Sequence, residues 1–175
     1  MRLALTGTPG TGKTTVASRL ADDPTFDLPV VHLNEAIREH GLWSERDEAR
    51  DSLVADLDAI RAWLDEDGPG DDCLVDSHLA HHLDADRVVV LRCRPDVLET
   101  RLRERGESAE KTRENAESEA LDVILAEAVE RHGADAVYEI DATDRDVESV
   151  AEDVAAVRRG ERDPSAGTVD FTDYL

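Results

Sequence analysis

Short apolar runs alternate along the chain with segments whose apolar residues recur at helical spacing. Met1 to Thr6 is apolar and reads as a buried strand, and Val16 to Ala21 continues as a helix. After a polar loop from Asp22 to Leu28, Pro29-Val30-Val31-His32-Leu33 reads as a second strand. Asn34 is placed to cap a helix over Glu35 to His40, which Gly41 ends. Leu42 to Arg50 reads as an acidic, polar connection containing Trp43. Leu53, Leu57, Ile60, Ala62 and Leu64 then fall broadly on one face of a helix, closed by Gly68-Pro69-Gly70. Cys73 to Val75 is a third apolar run, a strand ending at Asp76. Val88 to Cys93 is the clearest strand, and its β-branched run suits burial on both faces of a parallel sheet. Pro95 opens a helix with Val97, Leu98 and Leu102, broken at Gly106. Glu110 to His132 reads as one long helix with Leu121, Ile124, Leu125 and Ala128 on its apolar side. Val137 to Asp141 is the last strand and Asp146 to Arg158 the last helix. Gly160 to Leu175 has no period and reads as a loose tail.

Strands alternating with helices predict an α/β class with a parallel sheet, of about five strands for this length. The 175 residues suit one domain, over residues 1–160, followed by the tail at 161–175.

Charge changes the picture. The chain carries 42 acidic against 20 basic residues, a net charge of −22. Such charge usually accompanies disorder, yet regular apolar segments recur throughout. The balance fits a folded protein from a salt-rich cytoplasm, where the screening length shrinks to about 3 Å at molar salt. It argues against strong direct nucleic-acid binding, which uses basic patches. No apolar run approaches the length of a membrane span and nothing resembles a signal peptide, so a cytoplasmic protein without a membrane partner is expected. Cys73 and Cys93 each sit in or beside a strand-like run, as core residues do.

The candidate chemistry starts where the first strand meets the first helix. Gly7-Thr8-Pro9-Gly10-Thr11-Gly12-Lys13-Thr14 fits the P-loop pattern of Gly, four residues, then Gly-Lys-Thr. A glycine-rich turn between strand and helix aims backbone N–H groups at an anion, and the helix N-terminus adds a favourable dipole. Lys13 would reach the β- and γ-phosphates, and the Thr14 hydroxyl would ligate magnesium. Composition sharpens this: there are eighteen Arg but only two Lys, Lys13 and Lys111, and one of them stands at the P-loop position. A forked guanidinium does not replace that point charge. The stretch is therefore read as binding a nucleoside triphosphate.

Asp76, at a strand end, is placed to hold the magnesium shell through water. His78, two residues on, could orient an attacking water or a phosphate, or simply cap the strand. His81 and His82 extend a histidine cluster without acid–His spacing typical of a metal site. Phosphoryl transfer needs positive charge around the moving group. Arg105, with Arg101, Lys111 and Arg113 nearby, suggests a lid at a helix–loop–helix junction that closes over ATP. Arg38 sits where an acceptor phosphate could be held. A monophosphate acceptor already carries an anionic oxygen, so alignment and charge neutralisation suffice without a general base.

Thr6 to Thr15, then Val75-Asp76-Ser77-His78, then Arg105-Gly106 with Glu110-Lys111 and Asn115-Ala116-Glu117-Ser118-Glu119, resemble the adenylate kinase isoenzyme six family. The resemblance runs from about Met1 to Leu125 and rests most on the Asp-x-His and the short lid motif. It implies a three-layer P-loop nucleoside monophosphate kinase fold, a monophosphate-binding region around residues 30–53 and a lid around 104–114. It implies ATP contacts at Gly10, Gly12, Lys13, Thr14, Thr15 and Arg105, and a modified Walker B element of Asp76 and His78 tied to ATP hydrolysis. The implied activities are phosphorylation of AMP by MgATP, with broad monophosphate tolerance, and an ATPase. The implied partner is ribosomal small-subunit protein eleven, during late maturation of 16S ribosomal RNA. The acidic Leu42 to Ser52 segment departs from the family pattern, and Arg38 matches it loosely. Two readings therefore stand, a nucleoside monophosphate kinase and an ATP-gated ribosome assembly factor. A third, a kinase of another small metabolite such as shikimate, lacks a convincing strand-end Asp plus Arg set.

Overall fold

A computed structural model of the protein describes residues 1–49 and 52–175. The chain runs β1 (Arg2–Thr6), α1 (Lys13–Ala21), β2 (Val30–His32), α2 (Leu33–His40), β3 (Trp43–Asp47), β4 (Ser52–Ala55), α3 (Leu57–Glu66) and β5 (Cys73–Asp76). It continues through β6 (Arg87–Arg92), α4 (Pro95–Glu104), α5 (Ala109–Ala120), α6 (Val123–His132), β7 (Val137–Asp141) and α7 (Val147–Arg159). Among the described residues the main sheet has the order β2-β5-β1-β6-β7, and all its pairings are parallel.

Alternation along the strands divides the core into two layers. Leu3, Leu5, Val89 and Leu91 face one side, where Val16 and Leu20 of α1 and Val150, Val154 and Val157 of α7 cover them. Ala4, Val88 and Val90 face the other, against Ile37 of α2, Ile60 and Leu64 of α3, and Leu125 and Ala128 of α6. Every central strand is thus covered on both faces, which is why its sequence reads as a continuous apolar run.

Several expectations are corrected. The stretch read as a connection after Leu42 forms β3, which pairs antiparallel with β4 in a separate two-stranded sheet. Arg50 and Asp51, within the expected monophosphate region, lie outside the described residues. Leu53 belongs to this hairpin and not to the following helix. That helix starts at Leu57 because the Asp56 side chain accepts from the N–H groups of Asp58 and Ala59. Ala62 is exposed. Asn34 lies within the first turn of α2 and accepts from Ser77 Oγ at 3.0 Å instead of capping the helix.

The expected long helix from Glu110 to His132 breaks at Asp122, which takes a left-handed conformation (φ 56°) and turns Leu121 outward, 58% exposed. Asp122 Oδ1 accepts from Arg92 Nη2 at 2.5 Å, so an ion pair fixes the bend. The 161–175 segment is not loose. Ser165 N donates to Val137 O at 3.1 Å and Thr168 N to Glu139 Oε2 at 2.7 Å. Phe171 is buried with its ring 5.4 Å from the Arg92 guanidinium, and Tyr174 Oη donates to Glu99 Oε1 at 3.0 Å. No helix among the described residues is long and apolar enough to cross a membrane.

Candidate active site

The site forms at the carboxyl ends of the central strands. Register places His32, Asp76 and Leu5 side by side on β2, β5 and β1, so the loop after β1 emerges next to Asp76. That loop must pass close to its neighbours. A Cβ at Gly7 (φ 141°) would lie 2.5 Å from the Leu91 carbonyl oxygen, and one at Gly10 (φ 94°) 2.8 Å from Leu98 Cδ1. Glycine is favoured at both by backbone conformation, and at Gly7 also required by space, because a backbone oxygen cannot yield as a leucine methyl can.

Helix α1 begins at Lys13, whose buried Nζ donates to Gly7 O at 2.8 Å and Thr8 O at 3.0 Å. Burial lowers the Lys13 pKa to about 8; Asp76 and Glu119 oppose the shift, and Arg105 adds to it. Thr14 and Thr15 are exposed on the first turn. Asp76 is buried, and its Oδ2 meets His32 Nδ1 at 3.0 Å. His78 is half-buried. Burial, Lys13 and the neighbouring His81 and His82 push its pKa down to about 4, so its imidazole is neutral near pH 7. A neutral ring offers a hydrogen-bond acceptor and donor but no positive charge.

One cavity of about 410 Å³ brings together Gly10, Gly12, Lys13, Thr14, Thr15, Asp76, His78 and Arg105. Arg105 is the exposed C-cap of α4 and lines this cavity. A second cavity of about 450 Å³ lies between α2 and the β3–β4 hairpin, lined by Arg38, Arg46, Ser52 and Leu53. The two share Asn34 and His78, so the cavities adjoin. A third, smaller cavity of about 180 Å³ runs from Gly12 and Thr15 past Arg101 and Arg105 to Ala142 and Val147.

A family model described as an AAA domain matches residues 3–122. A protein of Natronomonas pharaonis named "Putative adenylate kinase" is 61% identical over 175 residues, with 100% of both chains covered. The chain belongs to this AAA-domain family. Relatives under the same name from Halobacterium salinarum and Methanocaldococcus jannaschii are 56% and 37% identical, covering 100% of this chain and 100% and 97% of their own. Among solved structures, shikimate kinase from Bacteroides thetaiotaomicron superposes with a TM-score of 0.55 at 22% identity, over 91% of this chain and 98% of that one. That likeness concerns the fold, a parallel sheet between helices in the P-loop kinase manner. The AAA-domain match covers the loop, Asp76, His78 and Arg105 together.

From sequence Arg46 is not singled out, Asn34 reads only as a helix cap and Ser77 only as part of the Val75-Asp76-Ser77-His78 motif, yet all three line the cavities. Arg46 sits in a polar stretch without apolar period, and only the hairpin brings it opposite Arg38. Lys111 and Arg113 do not reach the loop cavity: Lys111 pairs with Glu107 at 3.8 Å and Arg113 with Glu117 at 2.7 Å along the same chain segment. His81 is a packed residue beneath the site, with Nδ1 2.9 Å from Thr6 Oγ1 and Nε2 2.9 Å from Glu127 Oε2.

Proposed function

We propose that the chain is an adenylate-type nucleoside monophosphate kinase, a phosphotransferase converting ATP and AMP to two ADP with tolerance for other monophosphates. The observation that carries this reading is the adjoining pair of cavities, one around Lys13 and one around Arg38 and Arg46, meeting at Asn34 and His78. A donor triphosphate in the first and an acceptor monophosphate in the second would bring the anionic acceptor oxygen in line with the γ-phosphorus. That alignment replaces a general base. Lys13 and Arg105 neutralise charge on the moving phosphoryl group, and Gly10, Gly12, Thr14 and Thr15 supply backbone N–H groups and hydroxyls. The cavity of about 180 Å³ beside Arg101 and Arg105 suits the donor base.

The donor set fits a hard cation: the exposed Thr14 hydroxyl and the Asp76 carboxylate are oxygen groups facing the same cavity. Thr14 would hold magnesium directly and Asp76 through water, and the ion would offset phosphate charge. On this reading residues 1–160 form the kinase domain, with the monophosphate region at about 30–53 and the lid at about 104–114.

A second reading has one observation behind it. Neutral His78 stands between the two cavities, where it could orient a water in place of an acceptor. The chain would then act as an ATP-gated assembly factor on ribosomal small-subunit protein eleven in late 16S ribosomal RNA maturation, its ATPase being the main activity. The deciding experiment compares ADP formed from ATP plus AMP with phosphate released from ATP alone, in molar KCl. The kinase reading expects AMP to raise ADP output well above the hydrolysis rate, and His78→Ala to lower hydrolysis more than transfer. Output unchanged by AMP, with hydrolysis rising only when the ribosomal protein is added, would reverse the order of the two readings.

A further inference from the structure

Glu119 lies near the end of α5, in the helix that returns from the lid, and its side chain turns inward to 3% exposure. Its carboxylate accepts three hydrogen bonds, one from the loop after β1 and two from the end of β6. Oε2 takes the Thr8 hydroxyl at 2.5 Å; Oε1 takes the backbone N–H of Cys93 at 3.0 Å and Arg92 Nε at 2.8 Å. Arg92, itself 1% exposed, also donates to the Glu119 carbonyl at 3.1 Å, to Asp122, and to Glu139 on β7. A buried carboxylate is costly unless all its lone pairs are used, and here they bind a lid helix, a strand end and the loop into one unit.

The loop end of this network matters for phosphate chemistry. The Thr8 side chain goes to Glu119, while the Thr8 carbonyl accepts from Lys13 Nζ at 3.0 Å and from Thr11 Oγ1 at 2.9 Å. The same residue therefore connects Glu119 to the carbonyl cradle that aims the lysine. Cradle position translates directly into the direction of the ammonium group, and small misplacements of such groups are costly in rate.

We propose that Glu119 is a positioning residue of the phosphate-binding loop: by holding the Thr8 hydroxyl from the lid-bearing helix, it fixes the carbonyl cradle that points Lys13 at the transferred phosphoryl group. It touches no substrate. The assignment rests on the loop's holding a nucleoside triphosphate and is independent of which acceptor fills the second cavity.

The test uses the full chain in molar KCl, with turnover at saturating ATP, KM for ATP, KM for AMP and thermal unfolding measured for each variant. Where AMP is not phosphorylated at all, the same comparison is made on ATP hydrolysis, so failure of the acceptor assignment is read separately. Thr8→Val keeps the shape of the side chain, deletes its hydroxyl and leaves the Glu119–Arg92 pair in place. It is expected to lower kcat about tenfold or more while KM for AMP changes less than about twofold. Thr8→Ser, which restores the hydroxyl, should recover turnover to within about threefold of the parent. Glu119→Gln, which also removes the charge partner of Arg92, should lower kcat where it folds, and combining it with Thr8→Val should cost less than the product of the two single effects, because the two share the Thr8 contact. Turnover of Thr8→Val within twofold of the parent would overturn the proposal. So would a loss that Thr8→Ser does not recover, or one that tracks the unfolding temperature alone.

Discussion

Lys13 shows how one residue was legible from its neighbours while its chemistry was not. The Gly-x-x-x-x-Gly-Lys-Thr spacing placed it between strand and helix, and there it stands. The spacing could not show that the ammonium group is buried against two carbonyls, with its pKa lowered from 10.5 to about 8. Phosphate stabilisation needs the protonated form, so kcat/KM should fall as pH rises through about 8. Stability moves the other way. Between about 8 and 10.5 the unfolded chain binds this proton and the folded one has released it, so the group's contribution to folding rises with pH across that window. A pH–rate profile set beside unfolding midpoints over the same range checks both signs; flat kcat/KM to pH 10 would contradict the placement of Lys13 at the phosphates. Lys13→Ala should remove transfer by roughly two to three orders of magnitude, as loss of a preorganised charge donor does. His78 teaches the complementary lesson: sequence left its role open between orienting a water or a phosphate and merely capping the strand, and burial beside Lys13 makes it a neutral group.

At the scale of elements, what the sequence disclosed depended on whether an element buries a face. The five strands of the main sheet and α1, α4 and α7 do so, and their periods announced them. The β3–β4 hairpin stands off the sheet with Trp43 and Val54 exposed, so no apolar alternation marked it. The bend at Asp122 has no glycine or proline; it is imposed by a buried arginine thirty residues earlier in the chain, which no local pattern reveals. The hairpin carries the more consequential omission, because it sets Arg46 opposite Arg38 across the second cavity. If that cavity holds the acceptor phosphate, each arginine supplies a charge-assisted hydrogen bond worth about 1.5–3 kcal/mol. Arg38→Ala and Arg46→Ala should then each raise KM for AMP by roughly ten- to a hundredfold and leave KM for ATP near its parent value. Initial-rate kinetics with each substrate varied in turn provide the check. Unchanged KM for AMP in both variants would remove the acceptor from this cavity.

For the molecule as a whole, the dominant quantity is the net charge of −22. Two electrostatic effects compete as salt is added. Surface ion pairs such as Arg145–Asp153 at 2.8 Å and Arg103–Glu99 at 3.1 Å are attractive and lose strength with screening. Each such exposed pair contributes only about 0–1 kcal/mol to begin with. Repulsion among the excess carboxylates acts over longer distances, and it is the first to vanish when the screening length drops from about 10 Å at 0.1 M to about 3 Å at 1 M. The buried cluster around Arg92, 1% exposed, is shielded from solvent ions and changes little. Short contacts therefore survive conditions that cancel the long-range repulsion, and the sum favours folding in salt. A net gain of about 3 kcal/mol would raise the unfolding midpoint by roughly 6–12 °C for a chain of this size. Thermal unfolding followed by circular dichroism in 0.1 M and 2 M KCl measures it. Sucrose at matched osmolality separates screening from general exclusion effects, because it leaves the Debye length as it was. Equal midpoints in dilute and molar KCl would mean that the acidic surface exerts no net repulsion on the folded state.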